Sequence, residues 1–359
     1  MEVTLQQANR YLLKRQHLLS PCDDPLRAVR DACGLQAQIP STPALSLRAR
    51  VRGFDRADYE AMLVKERSLV RTWAMRGTVH TVPAAQLARY TRIYTEGQEL
   101  GAWPEKALAL LAAGPATRDQ LSRRAVTELG IAPDKAKELF GPWGGILRTL
   151  ARHGLTVHMP MEGADVPVVL TEQWLGCAPG PAAREELEDA LLQDYLNGYG
   201  PASMQDFAYF LTWPLSRVRP LFARAEGLVE IRLEGSKLPY FVPEARLSEL
   251  AATTGQEPAP IQVLPRFDSI LLAHRDKERL IDPAYRTQVF RPAAVVEATV
   301  LLDGRVAGTW RMKRTTRELQ VVYQPFRKGR GRGAPRAVEA EFKRLAGWYG
   351  LDKLSLEVV

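Results

Sequence analysis

Apolar residues recur at helical spacing over residues 4–19, with Leu5, Leu12 and Leu13 on one side. A second helix is predicted over 25–33, opened by Pro25, whose fixed φ suits a first helical turn. Helical patterns continue near 45–51 and 56–66. The stretch SLVRTWAMRGTVHTVP (68–83) is different: it is rich in Val, Thr and Trp, is punctuated by Gly77, and reads as a β-hairpin or two short strands. Several helices followed by a hairpin is the element order of a winged helix. The plan then recurs. Gly114-Pro-Ala-Thr117 and Gly200-Pro-Ala-Ser203 each open a helix at a Thr or Ser cap, with Gln120 or Asp206 three residues on. Helices ending in Gly154 and Gly227 precede the strands LTVHM and LVEIR, and the strands VPVVL (166–170) and LPYFV (238–242) follow. Gly/Pro-rich linkers are predicted at 176–182 and 254–260. Beyond them lies a β-rich portion. It has a hairpin over 294–313 turning at Asp303-Gly304, a strand over 318–326, an amphipathic helix over 335–348 and a final strand LSLEVV.

The chain has 359 residues, 46% hydrophobic and 25% charged. That length allows two or three domains, and the composition is that of a globular chain rather than a disordered, fibrous or membrane one. No segment approaches the roughly 18–20 apolar residues of a spanning helix, and the N-terminus lacks the features of a signal peptide. A cytoplasmic protein is expected. Cys22, Cys33 and Cys177 form no CxxC spacing. The five histidines (His17, His80, His153, His158 and His274) form no HExxH and join no cysteine cluster, so neither a metal nor another cofactor is expected. A GK[ST] phosphate loop is absent as well.

Charge points toward a polyanion. The formal net charge is +8, and 38 of the 49 basic residues are Arg, the better bidentate phosphate binder. Ten basic residues and a single acidic one, Glu318, lie between Arg305 and Arg336. The centre of this stretch is Arg327-Lys328-Gly-Arg330-Gly-Arg332-Gly, in which Gly lets the backbone approach closely while Arg supplies phosphate contacts. A solvated flexible loop is the other reading. Trp73, Trp213 and Trp310 read as core, and Asp268 as a helix cap.

Gly34-Leu-Gln36-Ala37-Gln38-Ile39-Pro40 carries the sharpest signal. Gly34 can stop a helix, and Ile39 before a proline is biased to extended geometry. In an extended segment Gln36 and Gln38 face the same side; in a helix they diverge by about 200°. From spacing alone, two exposed or turn-capping glutamines are the favoured reading.

This segment resembles the Gln–apolar–Gln motif of the AlkZ-type winged-helix DNA glycosylases. The resemblance continues in order through LVRTWAMRGTVHTVP (69–83), GYGPASMQDFAYFL (198–211), PRFDSILLAHRDKERLI (265–281) and DGRVAGTWR (303–311), and so covers essentially the whole chain. It implies an α+β fold of three tandem winged-helix units in a C-shaped arrangement with a β-rich C-terminal part. The expected divisions are 1–103, which carries the motif, then 104–178, 179–255 and 256–359. It also implies that Gln36 and Gln38 are catalytic. A related branch has Asp at the second position, so Gln38 places this chain with the azinomycin-resistance enzymes.

The expected activity is monofunctional hydrolysis of the N-glycosidic bond of N7-alkylguanine, particularly bulky natural-product adducts, because no lysine occupies an evident Schiff-base position. The expected partner is duplex DNA containing alkylated guanine, bound by a monomer with no membrane involved. Arg71, Arg76 and His80 on the 68–83 hairpin are candidate phosphate contacts, with residues 76, 78 and 80 sharing one strand face. Their other reading is surface arginines and a satisfied structural histidine. Arg305, Arg311, Arg327, Lys328, Arg330 and Arg332 are the remaining DNA-contact candidates. A noncatalytic winged-helix DNA binder is the rival expectation.

Overall fold

A computed structural model describes residues 1–95, 98–141, 145–161, 165–177, 180, 182–254, 256, 259–327 and 335–359. The chain is mixed α+β and divides into two compact units, each assembled from separated segments. One comprises Met1–Ala32, Ile39–Asp55 and Asp194–Val359; the other comprises Cys33–Gln38 and Arg56–Gln193. Among the described residues, no helix is long and apolar enough to cross a membrane.

The smaller unit is organised by a five-stranded sheet in the order Leu35–Gln36, Val79–Pro83, Leu69–Trp73, Thr156–His158 and Val168–Leu170. The expected 68–83 hairpin forms its centre, with Trp73 opposite Val79 and Leu69 opposite Pro83. A two-residue strand from the Gln segment extends it on one side. The helices Ala102–Ala112, Arg118–Leu129, Pro133–Leu139 and Gly145–Arg152 precede the last two strands. They bury Leu110, Leu111, Leu121, Leu147 and Leu150 together with Val168. Thr117 caps the second of these helices with a full capping box, its hydroxyl accepting from Gln120 N–H while the Gln120 side chain accepts from Thr117 N–H. Pro133 opens the short third helix of this stretch.

Among the described residues, the larger unit holds two main sheets and a two-stranded ribbon. Leu228–Leu233 pairs antiparallel with Pro239–Pro243 and parallel with Glu2–Val3. Val3, Tyr11, Ile231, Val242 and Leu250 form its core. Ser203 and Asp206 make a second full capping box at the start of Met204–Leu211. The β-rich portion is a five-stranded sheet in the order Lys353–Val358, Glu318–Pro325, Arg305–Arg314, Ala298–Leu302 and Gln262–Leu264. Asp303 and Gly304 take positive φ in the two-residue turn that closes Leu302 onto Arg305, as the Asp-Gly dipeptide predicts. The helix Arg336–Trp348 sets Phe342 edge-on to Trp310, 5.6 Å between ring centres, over a core of Val300, Val321 and Tyr323. Short ribbons at Phe290–Arg291 and Val295–Val296 complete the strands described.

Candidate functional site

The site is built where the chain enters the smaller unit. Cys33 and Gly34 both take positive φ, which turns the backbone into the edge strand Leu35–Gln36. A Cβ on Gly34 would lie 3.0 Å from Val82 Cγ1 and 3.4 Å from Thr81 O, so glycine is required both for its conformation and for its packing. Gln36 pairs with His80 across the ladder, and Ala37 N–H donates to Val79 O at 2.7 Å. The segment is thus strand through Gln36 and still paired at Ala37, whereas Gln38 lies beyond the strand.

The hairpin holds each residue of the Gln-Ala-Gln segment. Gln36 is 7% exposed, and its Oε1 accepts from Arg76 Nη2 at 3.3 Å. Ala37 O accepts from buried Arg71 Nη2 at 3.4 Å. Gln38 is exposed, and its Oε1 accepts from Val79 N–H at 3.3 Å, so a side-chain amide continues the ladder where the backbone leaves it. A carbonyl oxygen has two lone pairs, so one donor at Gln38 Oε1 leaves a second acceptor direction at an exposed position.

Arg76 departs from the expected strand geometry. It sits with Gly77 in a short turn, Met75–Gly77, and both residues take positive φ, which breaks the alternation that would align 76, 78 and 80. Its guanidinium nevertheless returns to the strand, donating to His80 Nε2 at 2.9 Å as well as to Gln36. His80 Nδ1–H donates to Thr78 O at 3.0 Å, which fixes the tautomer. His80 is wholly buried, and burial, with Arg76 adding, pushes its pKa down to about 3. It is therefore a neutral acceptor that positions Arg76. Burial also lowers the pKa of Arg71. Tyr59 donates or accepts at Thr81 Oγ1 at 2.7 Å, and burial raises its phenol to about 12.

A pH dependence follows from these burials. His274, in the larger unit, is likewise held at about 3 by burial and by Arg279. A histidine whose folded pKa lies below its unfolded value of about 6.5 takes up its proton first in the unfolded chain. Each contributes stability that is present above about pH 6.5 and is lost, by about 1.4 kcal/mol per pH unit, as pH falls toward 3. The melting temperature is expected to fall steeply between about pH 6 and 4.5 in calorimetry. A flat profile would contradict the neutral assignment.

The other predicted DNA contacts lie in the larger unit. Arg305 is exposed beside the Asp303-Gly304 turn and donates to Arg279 O and Glu278 O. Arg311 is exposed in mid-strand opposite Val322. Arg327 lies 3.7 Å from Asp282 and is largely exposed. Lys328, Arg330 and Arg332 lie outside the described residues. Trp310 and Trp213 are buried, as expected of core, whereas Trp73 is half-buried, edge-on to His158 at 4.3 Å.

Sequence reasoning did not single out Arg148 and Arg152, which flank the same turn, although their spacing of four on a helix was a usable signal. It also missed that Asp268, besides capping the helix at Ile270, forms a fully buried ion pair with Arg50.

A family model described as DNA glycosylase AlkZ-like matches residues 29–348. An interstrand DNA cross-link repair glycosylase of Streptomyces sahachiroi is 28% identical over 389 aligned positions, with both chains covered completely. The solved structure of S. sahachiroi DNA glycosylase AlkZ superposes with a TM-score of 0.84 at 27% identity, again over the whole of both chains.

Proposed function

The chain belongs to the AlkZ-like DNA glycosylase family, and from that premise we propose that it is a monofunctional glycosylase releasing N7-alkylguanine from duplex DNA, with bulky natural-product adducts as substrates. The observation that carries this reading is the Gln36-Ala37-Gln38 edge, held at three points by one hairpin. In this reading Gln38 puts the chain in the Gln–apolar–Gln branch. In this reading the chain acts as a monomer, and the helix–hairpin repeats are winged-helix units within segments 1–103, 104–178 and 179–255. The part 256–359 contributes DNA contacts through Arg305, Arg311, Arg327, Lys328, Arg330 and Arg332.

The chemistry follows from what an amide can do. A neutral Gln is no general base, but its carbonyl can orient water and its dipole can stabilise positive charge developing at C1′. N7-alkylated guanine is already cationic and leaves as a neutral base, so its departure needs no acid. Gln38, exposed and with an open acceptor direction, holds the water. Gln36, buried and fixed by Arg76, supplies the oriented dipole beside it. Arg71 and His80 are buried, so they act from beneath the segment, as positioning residues. Arg76 remains the member of this trio with enough exposure to reach a phosphate.

The test compares single-turnover base release from duplexes carrying one N7-methylguanine or one bulky polycyclic N7 adduct. The bulky adduct is expected to be released at least about tenfold faster, about 1.4 kcal/mol in the barrier. Tight binding of both duplexes with no release would replace this reading with the noncatalytic DNA binder. The name of the S. sahachiroi relative makes an N7-linked interstrand crosslink the third substrate to assay.

A further inference from the structure

The turn that carries Arg76 is flanked by two more guanidinium groups. Arg148 and Arg152 stand four residues apart on the helix Gly145–Arg152 and therefore share a face. Both reach the same point on the hairpin. A Cβ built on Gly77 would lie 3.4 Å from Arg152 Nη2 and 3.9 Å from Arg148 Nη1, so the missing side chain is what lets both groups close over the turn. Among the described residues, neither arginine has a carboxylate at ion-pair distance. Arg152 Nε is buried with no hydrogen-bond partner, and its guanidinium lies over the Tyr94 ring, 5.5 Å from the centroid. Burial, and then the neighbouring Arg148, depress the Arg152 pKa, with Tyr94 opposing them.

The ordinary explanation for basic residues at this place is the helix dipole. It fits Arg152, in the last turn. It does not fit Arg148, a full turn earlier, nor does it account for two cations converging on one glycine. Two guanidinium groups converging on Gly77, with an unsatisfied buried N–H and, among the described residues, no counter-ion, supply the donors that recognise a phosphate oxyanion.

We propose that Arg148 and Arg152, over the Gly77 turn, form a phosphate site that takes one phosphodiester of the DNA strand bearing the lesion. The strand assignment rests on the glycosylase reading; the phosphate chemistry does not. Arg76, on the same turn, reaches Gln36 and His80, so a phosphate seated on its neighbours fixes the register of the strand relative to the two glutamines.

The experiment measures the affinity of the full chain for a labelled undamaged duplex across a range of NaCl concentrations. It compares wild type with the double variants Arg148→Gln/Arg152→Gln and Arg148→Lys/Arg152→Lys. Each lost phosphate contact removes about 0.9 from the log–log salt slope. The Gln pair is expected to flatten the slope by about 1 and to weaken binding about tenfold or more at low salt. The Lys pair, which keeps the charge but loses the fork, is expected to keep the slope within about 0.5 and lose only part of the affinity. Equal slopes for wild type and the Gln pair, with both proteins melting alike, overturn the phosphate site. So does a wild type that binds no duplex. A flattened slope in a protein that releases no base upholds the site and sinks the glycosylase reading alone.

Discussion

Gln36→Ala and Gln38→Ala are each expected to slow release of N7-alkylguanine by about 10²–10³-fold, the range for loss of one preorganised polar group at a reacting centre. Duplex affinity should change by less than about threefold, since neither amide is charged and phosphate contacts dominate affinity. The two losses have different physical origins. Without Gln38 the exposed carbonyl is gone and water takes its place at Val79 N–H, so the nucleophile loses its holder while the hairpin stays intact. Without Gln36 the Arg76 guanidinium loses the amide it is turned toward, although it keeps His80. A cation released toward C1′ would oppose an oxocarbenium-like transition state, so Gln36→Ala is expected to lose at least as much as Gln38→Ala. The double variant should be only slightly slower than the worse single one, because residues acting on one water are not additive. Single-turnover assays at saturating enzyme measure these rates. Release within about threefold of wild type in either variant would remove that residue from the mechanism.

Asp268→Ala is expected to destabilise the larger unit by about 3–5 kcal/mol, the range for stranding one partner of a buried ion pair. Both side chains of the pair are wholly buried. Asp268 accepts two bonds from Arg50, at 2.7 and 2.9 Å, and one from Ser46 Oγ at 2.6 Å, and it also caps Ile270 N–H. Burial works against the Arg50 charge, but Asp268 outweighs it and holds the Arg50 pKa above its ordinary value. Remove the carboxylate and an unpaired guanidinium stays behind in the core. The melting temperature should fall on the order of 10 °C. The double replacement Arg50→Met/Asp268→Leu should recover much of that loss, because an apolar pair of similar volume can replace a buried ion pair at little cost. A fall of less than about 2 °C in Asp268→Ala would contradict this account of the pair.

Local chemistry made much of the fold readable. Thr117 with Gln120 and Ser203 with Asp206 announced helix starts that the structure places at those caps. Asp303-Gly304 announced its turn because both residues tolerate positive φ. What was not readable depends on distant partners. Glu2–Val3 is only two residues long and pairs with Arg232 and Leu233, so no periodicity marks it. Gln262–Leu264 joins the C-terminal sheet only through Thr299, Val300 and Leu301. Arg50 and Asp268 lie 218 residues apart, and no local pattern links them. At the site, the spacing of Gln36 and Gln38 was legible, whereas their partners Arg76 and Val79 come from about 40 residues downstream. The alternation argument failed for Arg76 because two successive positive-φ residues form a turn there. His80 fits its other reading, a satisfied structural histidine, because its strand lies inside the sheet and the ring is buried.

As proposed, this chain breaks the N-glycosidic bond and nothing else. The most direct test incubates the wild-type protein with a duplex carrying one N7-alkylguanine, then weighs the products by mass spectrometry before and after alkali. Free alkylguanine is expected, together with an intact strand bearing an abasic site that breaks only on alkali treatment. A strand already cut before alkali, or adduct still attached to DNA that the protein binds tightly, would contradict it.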